Sequence, residues 1–510
     1  MVSELLRNEL IELREYQINI ANTAIKGNTL VILPTGTGKT IIAIIVASNR
    51  LMKFPDSKIL ILAPTRPLVL QHANTFRKLF KIDKSRIVDI TGKISKEDRK
   101  FLYKYAKIIV ATPQTIQNDL EQGILTLNDF SLVVFDEAHR CVKEYSYTYI
   151  AKKYLEQSKY PLILALTASP GSEKERIEEI KNHLKIEYIE IRSEYDRDIK
   201  PYIKKIEKIF VEVELPKEIK RAIEEIEKVR RDLIKDLINL GILNTTEISK
   251  KEMIKIYEEF VAKSEMLNKK VFSNILFKLL QLIKVEYLLE LLETQSSTYF
   301  LDYLEKLKNS KKIYEKMLVS DLRIKIAESI VKEFIEKTQA HPKLEKLEEI
   351  ISFLIQKNPN VKIIVFANYR ATVEFIYKEL KNKGIKITKL VGQAKRDKYD
   401  GMSQKEQAEV IRDFANGIYN VLVCSSVGEE GLDIPKTDYA IFYEPVPSEI
   451  RAIQRRGRVG RQEHGKVIIL ITKNTRDEAY YWAAFHKEKR MRKIIYDIKK
   501  ELANEAENFN

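Results

Sequence analysis

Along the first part of the chain, short apolar runs alternate with longer amphipathic stretches. The runs at 30–33, 59–62, 108–111, 132–135 and 162–166 are rich in β-branched residues and bounded by turn residues. Helical periodicity fills the gaps between them. This alternation predicts an open α/β sheet of parallel strands, with ligands bound beyond the strands' carboxyl ends. Near Pro201 the pattern changes. Ile219, Ile223, Ile226, Val229, Leu233 and Leu237 recur at helical steps and predict an amphipathic helix. Val271 to Leu292 is apolar on most faces and predicts a buried central helix, with further helices at 297–317 and 320–338. His341-Pro342 restarts the α/β pattern, with strands at 362–366, 421–423, 439–442 and 467–470. The fold class is therefore α/β, with two parallel-sheet domains and an all-helical insertion between them. The expected boundaries are 1–205, 206–340 and 341–510. The polar tail from Glu501 to Asn510 is expected to fray.

Composition narrows the function. The 510 residues carry a formal net charge of +16, which points to a polyanionic partner such as nucleic acid. A generally Lys-rich surface is the plainer alternative, and abundant Lys and Glu also suit high temperature. The two cysteines, Cys141 and Cys424, exclude a disulfide framework or a four-thiolate zinc site. No secretory signal or run of 18 apolar residues is visible, so an intracellular (cytoplasmic, nucleoid-associated) protein without a membrane span is expected.

Three stretches carry chemistry. Leu30 to Thr40 reads LVILPTGTGKT, a strand entering a glycine-rich turn and then an apolar helix. Pro34, Thr35, Gly36, Thr37 and Gly38 form the turn. Its glycines let several backbone N–H groups face one anion, and the helix adds its positive N-terminal end. Lys39 can reach nucleotide β- and γ-phosphates, and the Thr40 hydroxyl can ligate Mg²⁺. Leu33 stands where the strict pattern has glycine, making this a relaxed P-loop. An ordinary strand-to-helix turn would leave Lys39-Thr40 unexplained. After the run at 132–135 come Asp136-Glu137-Ala138-His139. Asp136 suits Mg²⁺ binding through water, and Glu137 suits positioning or deprotonating an attacking water. An acidic helix cap is the alternative. His139 is expected to link this site to the other half of the protein. Thr167-Ala168-Ser169 offers two hydroxyls at the next strand end, a pattern common to ordinary turns. Gln454 to Arg461 reads QRRGRVGR. The spacing of Arg458 and Arg461 predicts one shared helical face, suited to charge growing on a transferring phosphoryl group. A basic patch for nucleic acid is the alternative.

In order, PTGTGKT, APTRPLVLQH, TPQT, DEAH, TAS, VGEEGLD and QRRGRVGR resemble the motif series of superfamily 2 helicases. With FANYR, VGQA and FYEPVPS, the chain most closely resembles the archaeal Hef branch of the FANCM/Mph family. The resemblance implies two RecA-like domains, ATP and Mg²⁺ as cofactors, and forked, branched or single-stranded DNA as partner. It also implies 3′-to-5′ movement. Arg14 and Gln17 match the adenine-reading motif. Gly431 and Asp433 match an ATP-contacting motif, with Asp433 on the ribose. Gln454, Arg458 and Arg461 match the γ-phosphate sensors. Arg66, Thr112, Pro113, Gln114, Thr115, Asn368, Arg370, Gly392, Gln393 and Ser425 match nucleic-acid contacts, mostly to the backbone. Ser425 stands where the family often has Thr. Many relatives carry an XPF-type nuclease that this sequence lacks. A nuclease-less form is the expectation, a shortened chain the alternative. A separate nuclease or a sliding clamp is a candidate partner. An RNA-directed ATPase of the RIG-I/Dicer type and a non-motor scaffold for branched DNA remain alternative functions.

Overall fold

The structure is a computed structural model that describes residues 4–203, 205–248, 250–262, 269–338, 341–393, 401–429, 432, 434–460 and 464–508. The first sheet has seven strands: β1 Thr29–Ile32, β2 Lys58–Leu62, β3 Ile87–Ile90, β4 Ile108–Ala111, β5 Phe130–Asp136, β6 Ile163–Thr167 and β7 Tyr188–Ile191. Their order is β3-β4-β2-β5-β6-β1-β7. The second sheet has six: β8 Lys205–Val213, β9 Ile363–Phe366, β10 Ile387–Leu390, β11 Val421–Cys424, β12 Tyr439–Phe442 and β13 His464–Thr472. Their order is β10-β11-β9-β12-β13-β8. Every strand pairing between these elements is parallel.

Both sheets are covered on two faces, which explains why their central strands read as continuous apolar runs. In β1 and just after it, Val31 and Leu33 enter one core, while Leu30 and Ile32 enter the core on the opposite face. In the second sheet Ile363 and Val365 face one core, and Ile364 and Phe366 the other.

The helices between the sheets build a core of their own. Helix Lys217–Asn239 buries Ile219, Ile226, Val229, Leu233 and Leu237 against helix Lys269–Glu290 and its neighbours. Helix Lys269–Glu290 is buried from Ile275 onward, but Val271 is exposed. The pattern at 297–317 divides into helices Ser297–Lys308 and Ile313–Ser320. The break falls at the polar run Asn309-Ser310-Lys311-Lys312. Strand β8 precedes these helices in sequence yet pairs with β13, so residues 206–213 lie on the second sheet. The final helix, Arg476–Asn508, leaves the second unit and lays Ile494, Ile495, Ile498 and Leu502 on the first sheet's core. Packing of Leu502 and the Lys174–Glu501 pair explain why the tail expected to fray stays helical to Asn508. Among the described residues no helix is long and apolar enough to cross a membrane.

Candidate active site

The glycine-rich turn leaves β1 with Gly36 at φ 77° and Gly38 at φ 79°, the left-handed region that favours glycine. Helix Lys39–Lys53 starts immediately afterwards. The turn is braced from behind. Tyr16 Oη donates to the Thr37 carbonyl at 2.5 Å, and Gln17 Nε2 donates to the same oxygen at 3.2 Å. Gln17 Oε1 accepts from the Arg14 backbone N–H. The buried Gln17 amide thus ties its own helix to the turn, while the Arg14 guanidinium covers the Tyr202 ring. Lys39 Nζ donates to the carbonyls of Leu33 and Pro34 at 3.3 and 3.4 Å, both long bonds. Burial lowers its pKa, and Glu137 and Asp136 oppose that shift. An ammonium with two weak neutral acceptors, above left-handed glycines and beside two carboxylates, fits a magnesium–nucleotide polyphosphate. Thr40 lies in the first turn of that helix.

Asp136 is the last residue of β5. Its Oδ2 lies 2.7 Å from His72 Nε2, and its Oδ1 accepts the Glu137 N–H at 3.0 Å. Burial pushes the Asp136 pKa up, but the bond and charge of His72, with Lys39 and the Glu137 N–H, hold it below the usual value. Glu137 itself has φ 52°, a left-handed conformation rare for a residue with a side chain. Its Oε2 lies 3.2 Å from His139 Nδ1, which in turn lies 3.3 Å from Thr167 Oγ1. Thr167 Oγ1 also accepts the Ser169 N–H. His139 therefore joins Glu137 to the Thr167-Ala168-Ser169 turn within the first unit. This corrects the expected link to the other half, because the ring is turned into the β5–β6 end and buried there. His72 closes the APTRPLVLQH stretch, but the sequence reading gave it no role. It sits in an amphipathic helix, Arg66–Leu79, and no spacing ties it to Asp136.

The second unit meets this site edge-on. A Cβ on Gly457 would lie 2.9 Å from Thr35 Oγ1, and a Cβ on Gly36 would lie 3.4 Å from Lys436 Nζ. Helix Glu449–Arg456 stops before Arg458. Val459 bridges to Thr437, and Gly460 has φ 114°. The backbone thus leaves the helix before Arg458, and the expected pairing of Arg458 with Arg461 on one face falls outside the described residues. Arg461 lies outside the described residues, as do Gly431 and Asp433. Arg458 Nη1 donates to the Leu432 carbonyl at 3.0 Å, and Nη2 to the Glu429 carbonyl at 2.9 Å. Gln454 is half-buried on the same short helix. Arg455 is fully buried. It bonds Glu429 Oε1 at 2.8 Å, the Glu444 carbonyl at 3.0 Å and Asn368 Oδ1 at 2.6 Å. Arginine density in the sequence does not separate this structural arginine from its neighbours.

The other candidate residues lie beyond the carboxyl ends of β2, β4, β9, β10 and β11. Arg66 and Pro113 open helices Arg66–Leu79 and Pro113–Glu121. Gln114 lies in the first turn of the second. Thr112 and Thr115 share a hydroxyl hydrogen bond of 2.9 Å. In the second unit Arg370 Nη2 donates to the Gly392 carbonyl at 2.8 Å, with Gln393 next in the chain. Ser425 follows β11 and is buried. Asn368 is engaged internally by Arg455 and the Pro445 carbonyl. Lys93 Nζ donates to Gln404 Oε1 at 2.7 Å, joining the two units on this side.

Two protein families match the chain. The DEAD/DEAH box helicase family covers residues 14–177, and the helicase conserved C-terminal domain covers residues 342–463. A Methanocaldococcus jannaschii relative, named provisionally as an ATP-dependent RNA helicase, is 41% identical over 97% of this chain and 62% of its own. The ATP-dependent DNA helicase fml1 of Schizosaccharomyces pombe is 33% identical over 91% of this chain and 57% of its own. The chain thus spans roughly three fifths of the length of these two curated relatives. The crystal structure of the Pyrococcus furiosus Hef helicase domain is 45% identical, with a TM-score of 0.72 over 94% of this chain and 100% of that one. The chain belongs to the Hef, FANCM and Mph branch of the DEAD/DEAH-box helicases.

Proposed function

We propose that the chain is an ATP-driven motor that remodels forked or branched DNA. One observation carries the reading: the glycine-rich turn that leads into Lys39, whose charge is felt by Asp136 and Glu137, lies against Gly457 and Lys436 of the second unit through Thr35 and Gly36. A site split between two sheets makes nucleotide occupancy and hydrolysis depend on how the sheets sit together. When bound, ATP supplies the phosphoanhydride bond whose hydrolysis drives the cycle, and Mg²⁺ neutralises its charge.

The chain's own groups divide the work. Lys39 and the N–H groups from Thr35 to Thr40 hold the phosphates. Thr40 and Asp136 would hold the metal, and the His72 bond keeps Asp136 fixed. Glu137 orients a water and takes its proton, steadied by His139. Arg14 and Gln17 border the base, Gly431 and Asp433 the ribose. Arg458, Arg461 and Gln454 answer the γ-phosphate from the second unit. For Arg458 this means leaving its two carbonyl partners. The candidate contacts follow the carboxyl ends of β2, β4, β9, β10 and β11 and would grip a sugar-phosphate backbone without reading sequence.

The proposed partition is 1–205, 206–340 and 341–510, except that β8 at 205–213 belongs to the second sheet, and the inserted helices engage the duplex arm. One exposed side of helix Lys217–Asn239 supports it: Lys217, Lys220, Lys228, Arg231 and Lys235 lie there with a single carboxylate, Glu224, among them. An RNA substrate is the second reading, favoured by the name of the Methanocaldococcus relative. Strand displacement on forks with opposite single-stranded tails, in DNA and in RNA, tests both. ATP-dependent opening of the DNA fork with the tail for 3′-to-5′ movement is expected. Opening of the RNA fork alone overturns the DNA reading.

A further inference from the structure

A chain of buried polar groups runs from the inserted helices to Arg458. It begins where helix Lys269–Glu290 passes into a π turn, Leu291–Gln295. Such turns widen a helix by one residue and re-aim a side chain. Here they deliver Gln295, 1% exposed, into the second unit. Its Nε2 donates to Glu444 Oε1 at 3.1 Å, and its Oε1 accepts the Thr372 hydroxyl. Its carbonyl accepts Tyr443 Oη at 3.2 Å. Glu444 Oε1 also accepts the Asn368 N–H at 2.7 Å. Asn368 Oδ1 and the Glu444 carbonyl both accept from Arg455, and Arg455 bonds Glu429. The Glu429 carbonyl then receives Arg458 Nη2 at 2.9 Å. A parallel contact, Tyr369 Oη to Glu290 Oε1 at 2.6 Å, holds the same helix against the same loop.

A network so buried tolerates few arrangements, because any broken member leaves an uncompensated polar group in a low-dielectric interior. Glu444 already has one: its Oε2 is buried without a partner. The inserted helices enter this chain through Gln295, whose amide meets Glu444 and Thr372 and whose carbonyl meets Tyr443. A shift of those helices passes through this amide to Glu444, and from Glu444 to Asn368, Arg455 and Glu429; Arg476, Lys343 and Tyr369 tie the same helices to the second unit by separate bonds.

We infer that Gln295 and Glu444 are positioning residues: they relay the placement of the inserted helices to Glu429 and so set whether Arg458 stays on its carbonyl partners or is released toward the nucleotide. This rests on the proposed roles of Arg458 and of the inserted helices, and it adds a coupling route that those roles do not require.

The test uses the full chain with Gln295→Met, which keeps bulk and removes the amide, and Thr372→Val as a milder variant if the first fails to fold. Hydrogen exchange is followed by peptide without nucleic acid. Exchange in the peptides spanning 425–429 and 451–460 is expected to speed by about five-fold or more, while the 30–53 peptide is unchanged. Turnover is then measured with and without forked DNA. Basal turnover and KM for ATP are expected to stay near wild type, while DNA-stimulated kcat falls by about five-fold or more. Glu444→Gln, which retains the acceptor, should preserve the exchange pattern. Exchange changes confined to 287–300 and 369–372 would overturn the inference. So would lowered melting temperature with unchanged stimulated kcat. Wild type without DNA stimulation would instead refute the proposed function, and the exchange pattern would still decide the relay.

Discussion

Thr35 in the glycine-rich turn and Gly457 at the end of a helix in the second unit stand so close that a Cβ on Gly457 would lie 2.9 Å from the Thr35 hydroxyl. The Gly457 backbone, at φ −62°, would accept alanine, and the tightest obstacle to a Cβ there is Thr35 of the other unit, with the Gln454 carbonyl next at 3.3 Å. Gly457→Ala is expected to lower kcat by about ten-fold with little change in folding stability. Thr35→Ala in the same chain removes the clashing oxygen and should recover part of the loss. A double-mutant cycle on kcat checks this, and additive losses would contradict close approach as the cause.

The proposed roles of Lys39 and Glu137 on one nucleotide differ. Lys39→Ala is expected to weaken ATP binding and abolish turnover. Glu137→Gln should bind ATP normally while kcat falls by about 10²–10³-fold. Both should bind DNA as wild type does. Fluorescent-nucleotide titration beside steady-state turnover separates the two. Equal loss of ATP affinity in both variants would remove Glu137 from water positioning.

Arg458 is held by the carbonyls of Leu432 and Glu429. If it serves the developing phosphoryl charge, Arg458→Ala should cost about 10³-fold in kcat and leave ATP affinity within about two-fold. Loss of ATP affinity matching Lys39→Ala would show that Arg458 supports ground-state binding or the local fold instead.

The four strands that reasoning from sequence passed over, β3, β7, β8 and β10, are the outer strands of the two sheets. Central strands announce themselves because both faces are buried. Outer strands such as β8, KIEKIFVEV, mix charges with apolar residues because one edge or face meets water. The P-loop and the acidic pair are legible for a related reason: their chemistry depends on neighbours in sequence. His72, Arg455, Glu444 and Gln295 act through partners distant in sequence, and no local spacing marks them.

Burial raises the Glu444 pKa from its ordinary value of 4.5 to about 7, although Lys343, the Asn368 N–H and Arg455 pull it down and Asp477 adds to the rise. The folded state thus favours the protonated acid. Its contribution to stability is complete below about pH 4.5 and is lost as pH rises through about 7. Glu444→Gln lacks that loss. Denaturant midpoints at about pH 5 and about pH 8 should show wild type weakening relative to Glu444→Gln. Parallel pH dependence in the two proteins would mean that Glu444 is already ionised at the lower pH.

The most direct measurement is ATP turnover at one fixed salt concentration with no nucleic acid, single-stranded DNA, forked DNA, a four-way junction and matched RNA. Salt is held constant because phosphate contacts release counterions and affinity falls steeply with ionic strength. A motor for branched DNA predicts the strongest stimulation by the fork and the junction. Stimulation by RNA above all DNA substrates, or no turnover on any of them, would contradict it.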